Sequence, residues 1–430
     1  MSAESFILFL IALKLVAITF GLPVAYSAVF FSVVFLLYEG VPISLAVSQI
    51  GSAMNSFTWL AIPMFMLAGK LMTASGIADR IFDFAAKLVG RIPGGLGHVN
   101  IVSSFVFAGM SGSLLADVAG LGEIEYKAMR KKGYDPDFVV GITLASSATG
   151  PILPPSLPMV LFGVAANVSI TGLFLGGILP AFLIAACLML YVMIVGIRRG
   201  YYGEAWQGWR ILLTATIRAL PPLLTPVIIV GGMTLGIFSP TEAATVAVFY
   251  ALVIAGLVYR ELSLEAFFAV LRDTVVSTSQ LLFIVASALL FAWVLTVAEV
   301  PQSIATYMSA TFETRAGFLL AVIAMMLVLG AIIENAILML VLAPMLLPIA
   351  QSQFGIDPIH FGVVIVFNIM IGQFTPPIGL ALFVMRNITG FGLGRISLAV
   401  LPFLIPLIGA LLIMAFYPPV VLAIPRALGF

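Results

Sequence analysis

Long apolar segments make up most of this chain, and short polar stretches separate them. Residues 173 to 197 and 274 to 297, for example, contain no charged side chain. One membrane-spanning helix needs about 20 predominantly apolar residues, and about ten segments reach that length. The pattern predicts an all-α, polytopic membrane protein.

Two of these apolar segments are interrupted by adjacent prolines. The stretch "ATGPILPPSLP" covers residues 148 to 158, and "MIGQFTPPIG" covers residues 370 to 379. A Pro-Pro step removes two backbone donors and clashes with the preceding helical turn. In lipid, the freed carbonyl groups cost several kcal/mol each, so such a break persists only inside protein or beside a wet cavity. We therefore expect a functional cavity at each break.

The motif "GYDPDF" at residues 133 to 138 recurs as "GIDPIHF" at residues 355 to 361, and the repeat continues downstream. Six identical pairs share one offset of 222 residues. They are Gly133 with Gly355, Asp135 with Asp357, Pro136 with Pro358, Gly150 with Gly372, Pro154 with Pro376, and Pro155 with Pro377. The register indicates a duplication. We assign residues 1 to 197 to the first repeat, 198 to 218 to a basic linker, and 219 to 430 to the second repeat.

Each repeat also contains a long apolar segment with a polar centre, "GMSGSLLAD" in the first and "LGAIIEN" in the second. Such a segment is too long for one crossing and fits a re-entrant helical hairpin. The predicted hairpins cover 98 to 130 and 316 to 352, the broken helices cover 137 to 166 and 358 to 385, and scaffold spans lie in 1 to 58. Upstream of each hairpin, a more polar helical segment (42 to 57; 261 to 273) precedes a separate span (59 to 76; 274 to 297).

Basic residues predict how the repeats lie in the membrane. The flanks of the first hairpin carry Arg80, Lys87, Arg91, Lys127, Arg130, Lys131 and Lys132, whereas those of the second carry Arg315 alone. Positive charge accumulates on the cytoplasmic side. The first hairpin is therefore expected to open to the cytoplasm and the second to the outside, with the N-terminus outside. The two repeats are then inverted.

Charge and composition exclude several functions. The chain is 62% hydrophobic and 9% charged with net charge +1, which gives no electrostatic case for nucleic acid. One cysteine, Cys187, excludes an internal disulfide, and two isolated histidines, His98 and His360, argue against a zinc or haem centre. The sequence contains no Gly-x-x-x-x-Gly-Lys loop, so ATP drive is unsupported, and it contains no catalytic constellation, so we expect no enzyme.

Inverted repeats with broken helices are the sequence signature of a transporter site near the middle of the membrane. Freed carbonyls coordinate Na⁺, and half-helix N-termini favour an anion. The Na⁺-site candidates are Ser111, Gly112, Ser113, Thr149, Gly150 and Pro154 in the first repeat, with Gly330, Gly372, Thr375 and Pro376 in the second. The substrate-site candidates are Ser113, Asp117, Pro155, Glu334 and Asn335. Two structural readings stay open: Ser-Gly-Ser as close helix packing, and Asp117 or Glu334 as a cap of a half-helix.

Three motifs in order resemble the large membrane subunit of tripartite ATP-independent periplasmic (TRAP) transporters. They are "FAGMSGSLLADVAGLGEIEYKAMRKKGYD", "GPILPPSLPMVLFGV" and "GIDPIHFGVVIVFNIMIGQFTPPIGLALFV". The resemblance covers essentially the whole chain. It implies an elevator-type fold of the ion-transporter superfamily in a bacterial or archaeal cytoplasmic membrane. It also implies Na⁺-coupled uptake of carboxylates such as C4-dicarboxylates and sialic acid, with no further cofactor.

The resemblance further implies two protein partners, a soluble periplasmic binding protein and a small four-helix membrane subunit, here a separate polypeptide. By motif, residues 111 to 113 and 150 to 155 would frame one Na⁺ site, and Gly330, Gly372 and Thr375 the other. The sequence departs from the family at both tips. Leu114 stands where many members have a further Ser, and Glu334-Asn335 where an Asp is common.

Three other functions remain to be weighed. A channel would use the same breaks as a continuous filter, but two halves around one central site fit alternating access better. An intramembrane enzyme would need reactive groups at one depth, which are missing. A stand-alone Na⁺-coupled anion carrier would lack the binding protein and is the principal alternative.

Overall fold

The computed structural model describes residues 3 to 376 and 379 to 430, and every regular element in these ranges is helical. The first half contains α1 (Ala3–Thr19), α2 (Val24–Tyr38), α3 (Ile43–Met54), α4 (Ala61–Ala74), α5 (Ile77–Val89), α6 (Leu96–Ser111), α7 (Leu114–Gly120), α8 (Gly122–Lys131), α9 (Pro136–Ser146), α10 (Leu157–Ala166) and α11 (Ile170–Arg199). The second contains α12 (Trp209–Thr234), α13 (Pro240–Leu252), α14 (Leu264–Val297), α15 (Val300–Thr311), α16 (Arg315–Gly330), α17 (Asn335–Ile337), α18 (Ala343–Phe354), α19 (Pro358–Gly372), α20 (Leu380–Thr389), α21 (Leu393–Phe416) and α22 (Pro419–Ala427).

Seven helices of the described ranges are long and apolar enough to cross a membrane, fewer than the ten or so expected. That expectation was wrong because some apolar helices are shorter than a full span, such as α1 with 17 residues and α2 with 15. The predicted boundary between a polar helical segment (261 to 273) and a separate span (274 to 297) was also wrong. Residues 264 to 297 form the single 34-residue helix α14, because they contain no Gly or Pro that would end a helix.

Helices that correspond by order in the two halves exchange packing partners. Helix α2 packs against α14, and α4 packs against α13. In the same way, α9 packs against α21, and their counterparts α19 and α11 pack against each other. In both cases the contact made by a helix of one half is repeated by its counterpart in the other half, as a two-fold relation between duplicated units requires. The fold is two structural repeats interlocked into one body.

Local backbone chemistry ends the hairpin helices where the polar centres lie. Helix α6 stops at Gly112, which adopts a left-handed conformation with φ 58°, and the Ser113 hydroxyl caps α7. In the second half, α16 stops after Gly330, and Glu334 stands at the N-cap position of the helical segment Asn335–Phe354. We call α6 to α8 hairpin 1 and α16 to α18 hairpin 2.

The broken helix of each half packs against the hairpin of the other half. Helix α10 contacts α18 of hairpin 2, and α20 contacts α7 of hairpin 1. The two hairpin tips and the two breaks are thereby brought together in the interior.

Candidate functional site

The tip of hairpin 1 lies directly on the first break. A β-carbon at Gly112 would overlap the carbonyl oxygen of Pro155, and the Leu157 N–H donates to the Gly112 carbonyl at 3.4 Å. A β-carbon at Gly150 would lie 3.2 Å from the backbone carbon of Ser113. Two main chains therefore meet here without intervening side chains, which leaves carbonyl groups within reach of a small ligand.

The hydroxyl groups at this tip and the first break differ in whether they have hydrogen-bond partners. Thr149 donates to the Ser146 carbonyl at 2.8 Å, and Ser113 accepts a bond from the Ala116 N–H at 3.4 Å. Ser111 is 5% exposed, and its hydroxyl has no hydrogen-bond partner within the described ranges. A buried hydroxyl without a partner is costly, so Ser111 is the group best placed to accept a ligand. Pro154, joined to Pro155 by a cis peptide bond, is buried at the same break.

Hairpin 2 repeats this arrangement at the second break. A β-carbon at Gly330 would lie 3.4 Å from the α-carbon of Gly372, so two helices approach backbone to backbone. The Thr375 hydroxyl donates to the Ile371 carbonyl at 2.7 Å. Pro376 is the last described residue before the gap, and Pro377 lies outside the described residues.

A chamber of about 230 Å³ lies between the two tips. Both halves line it, with Ser113 and Pro151 from the first and Glu334, Asn335 and Gln373 from the second. Glu334, Asn335 and Gln373 also border a second cavity of about 240 Å³. Within the described ranges, one oxygen of Glu334 and the amide oxygen of Gln373 are buried without a hydrogen-bond partner. Two buried hydrogen-bond acceptors at this point are therefore available to donor groups of a ligand.

Two predicted substrate residues are not part of the chamber wall, and two polar residues were not predicted. Pro155 and Asp117 are not among the lining residues of the chamber; Asp117 is 2% exposed and lies in a polar cluster with Ser104 and Glu125. Sequence reasoning overlooked Gln373 and Glu125. Gln373 follows Gly372 within the second break motif, so its position was a usable signal. Glu125 stands in a charged stretch, and nothing in the sequence distinguishes it from exposed neighbours.

The two halves differ at one place beside the hairpins. Helix α5 packs along α6 of hairpin 1. The corresponding α15 and α16 border an apolar cavity of about 570 Å³, lined among others by Ser303 of α15 and Leu329 of α16. The duplicated units therefore share a topology and differ in conformation at this point.

This architecture defines a multi-pass membrane protein whose two interlocked repeats both contribute polar groups to an interior chamber. Residues 7 to 420 match the family model described as "Tripartite ATP-independent periplasmic transporter, DctM component". The chain belongs to this family.

Named relatives agree with the family match. The "Sialic acid TRAP transporter large permease protein SiaM" of Vibrio cholerae is 42% identical over 407 residues, which is 94% of this chain and 95% of that protein. The "C4-dicarboxylate TRAP transporter large permease protein DctM" of Pseudomonas aeruginosa is 40% identical over 373 residues, 87% of each chain. The crystal structure of the YdaH transporter of Alcanivorax borkumensis, described as having an unusual topology, aligns over 89% of both chains with a TM-score of 0.64 at 15% identity. That last likeness concerns the fold alone.

Proposed function

We propose that this chain is the large membrane subunit of a TRAP transporter that couples Na⁺ entry to uptake of a carboxylate. It would work in a bacterial or archaeal cytoplasmic membrane with its N-terminus outside. Its partners would be a separate small membrane subunit and a periplasmic binding protein. The observation that carries the proposal is the matched contact of each hairpin tip with a helix break, on two sides of one chamber.

Sodium ions would bind where these main chains meet. Hard cations prefer oxygen ligands, and broken membrane helices offer free carbonyl groups for Na⁺. The first site would use residues 111 to 113 with Thr149, Gly150 and Pro154, and the unpartnered Ser111 hydroxyl supports it. The second would use Gly330, Gly372, Thr375 and Pro376. The glycine contacts support both sites, because a side chain there would fill the space between the backbones.

The substrate would occupy the chamber between the tips. The described residues that line the chamber include no Lys, Arg or His, so a carboxylate would need bound Na⁺ to offset its charge in this low-dielectric position. The unpartnered acceptors of Glu334 and Gln373 favour an acid that also carries hydroxyl or ammonium donors. A plain dicarboxylate would leave both acceptors unsatisfied.

Transport would proceed by an elevator movement. The hairpins and broken helices would carry substrate and Na⁺ together across the scaffold as one body, after the binding protein has released the substrate on the outer face. The conformational difference between the α5–α6 contact and the α15–α16 cavity supports this movement, because inverted repeats can exchange their conformations. Coupling then requires only that Na⁺ and substrate favour each other's binding.

Uptake into proteoliposomes tests the proposal. The chain would be reconstituted with its small subunit and given labelled carboxylates with or without the binding protein, under a Na⁺ gradient or with K⁺ alone. We expect uptake only when Na⁺ and binding protein are both present. Na⁺-driven uptake without a binding protein would instead identify a stand-alone anion carrier, and uptake indifferent to Na⁺ would exclude the proposed coupling.

A further inference from the structure

Hairpin 1 contains a buried polar cluster away from its tip, and none of the cluster's residues belongs to the proposed Na⁺ or substrate sites. Glu125 of α8 is fully buried, although its helix is otherwise rich in exposed charge. Its carboxyl group contacts α6 at two points: Oε2 lies 2.8 Å from the Asn100 amide nitrogen, and Oε1 lies 2.7 Å from the Ser103 hydroxyl. Asn100 also donates to the Thr143 hydroxyl of α9 at 2.8 Å. The cluster thus joins both arms of hairpin 1 to α9.

An ionised Glu125 would compete with the Val99 carbonyl for the single proton of the Ser103 hydroxyl. The Ser103 hydroxyl has one proton, yet its oxygen lies 2.7 Å from the Val99 carbonyl oxygen as well as 2.7 Å from Glu125 Oε1. If Ser103 donates to Val99, an ionised Oε1 faces another oxygen with no proton between them. In that case the Asn100 amide is the one side chain in the cluster that donates a hydrogen bond to the buried Glu125 carboxylate.

A neutral Glu125 removes this conflict. Its own O–H donates to Ser103, Ser103 donates to Val99, and Oε2 accepts from Asn100. Each of these three contacts then holds one proton.

No cation in the described ranges compensates a charge on Glu125. The titratable group that faces it is Asp117 of α7, another buried acid, one oxygen of which has no hydrogen-bond partner. Two neighbouring buried carboxylates oppose each other's ionisation.

The other elements packed against α8 do not supply a positive charge either. Helices α6 and α9 present Asn100, Ser103 and Thr143, which do not titrate. Helices α5 and α20 also contact α8. Arg80 and Lys87 of α5 pair with Glu261 and Asp83, and Arg386 of α20 forms no ion pair with Glu125 in the described part of the chain.

We propose that Glu125 is a proton-binding site, and that its neutral carboxyl group holds α8 to α6 inside hairpin 1. The proton is taken from water, and its loss would place an uncompensated charge between the two arms. The site is separate from the Na⁺ and substrate sites proposed above, and its test does not depend on transport.

Infrared spectroscopy of the purified chain with its small membrane subunit tests the assignment directly. A protonated carboxyl group has its own C=O stretch, separate from that of a carboxylate. We expect this band in the wild type at neutral pH and expect Glu125→Gln to remove it. Glu123→Gln is the matched control, because Glu123 lies on the same helix but is exposed and paired with Lys127. Asp117→Asn serves as the second control and should leave the Glu125 band in place.

Thermal unfolding gives an independent readout. Because the Gln amide can donate to Ser103 as a neutral acid does, Glu125→Gln should unfold near the wild-type temperature, and Glu125→Ala well below it. Should Glu125→Gln fail to fold, the wild-type band and its loss on raising the pH still test the proposal. A wild type without the band, or a band that Glu125→Gln leaves unchanged, would overturn it.

Discussion

Gly372 faces Gly330 so closely that a β-carbon on Gly372 would lie 2.5 Å from the Gly330 carbonyl carbon and 2.6 Å from its oxygen. The two glycines belong to α19 and α16, so this contact seats hairpin 2 on the second broken helix. Backbone atoms cannot rotate away as a flexible side chain can. Any larger residue at position 372 must therefore separate the two elements.

We expect Gly372→Ala to reduce Na⁺-driven uptake strongly while the protein remains folded. Overpacking costs about 1–3 kcal/mol, and 1.4 kcal/mol is a factor of ten in an equilibrium constant, so apparent Na⁺ affinity should fall by between about fivefold and about a hundredfold. Gly409→Ala is the control, since Gly409 lies within α21 and a β-carbon there meets nothing within 4 Å. Wild-type Na⁺ affinity in Gly372→Ala would show that this contact does not frame an ion site.

Ser111→Ala should weaken Na⁺ binding without destabilising the Na⁺-free protein. The Ser111 hydroxyl is buried and has no partner in the described chain, so its removal costs no internal hydrogen bond. We expect the Na⁺ concentration for half-maximal uptake to rise about tenfold, as loss of a contact to a charged ligand of about 1.5 kcal/mol predicts. Ser287→Ala removes a buried hydroxyl that bonds the Phe283 carbonyl and should leave Na⁺ dependence unchanged. An equal rise in both variants would contradict a Na⁺ contact at Ser111.

The sequence supported the duplication and the place of the helix breaks because Gly and Pro act through their own backbone. Gly112 needs a left-handed conformation, and the paired prolines interrupt a helix wherever they stand. Side-chain partners are different, since they depend on which elements meet in space. Asp117 and Glu125 were therefore not recognisable as neighbours, and the two acceptors at Glu334 and Gln373 became visible only in the folded chain.

Glu334→Gln should change substrate preference more than it changes Na⁺ dependence. The substitution keeps size but replaces one carboxyl oxygen by an amide NH₂ group, which donates hydrogen bonds to a second carboxylate in the chamber and does not accept them from hydroxyl groups. We expect a polyhydroxylated acid such as gluconate to raise the unfolding temperature of the purified variant subunits less than that of the wild type. The thermal shift caused by a dicarboxylate without hydroxyl groups, such as adipate, should increase relative to that caused by gluconate. Measuring ligand-induced thermal shifts without the binding protein separates this effect from that protein's own selectivity.

Two results of the Glu334→Gln comparison would contradict this prediction. An unchanged gluconate-to-adipate ratio would show that Glu334 does not contact the substrate. A loss of Na⁺-induced stabilisation with no change in that ratio would assign Glu334 to an ion site. The exposed Glu123→Gln variant controls for loss of one negative charge.

Cross-linking across the 570 Å³ cavity should stop transport if hairpin 2 moves relative to α15. Cysteines at Ser303 of α15 and Leu329 of α16 would face the same cavity. Cys187 would first be replaced by Ser, so that only the introduced thiols react. A reversible bifunctional reagent should abolish uptake, and reduction should restore it, whereas each single cysteine treated alike should remain active. Full uptake after complete cross-linking would exclude movement between α15 and α16.

The ion pair between Arg80 and Glu261 predicts a small, pH-dependent contribution to stability. Arg80 donates to both Glu261 carboxylate oxygens, at 2.6 and 3.2 Å, and these bonds lower the pKa of Glu261. The contribution is therefore present above the unfolded-state pKa and lost as the pH falls through the folded-state value. Both side chains are partly exposed, so Glu261→Gln should cost about 0.2–1 kcal/mol of unfolding free energy at neutral pH and nothing in strong acid. Denaturant unfolding at both pH values measures this difference, with the exposed Glu313→Gln as control. A cost that persists in strong acid would mean that Glu261 acts through packing and not through its charge.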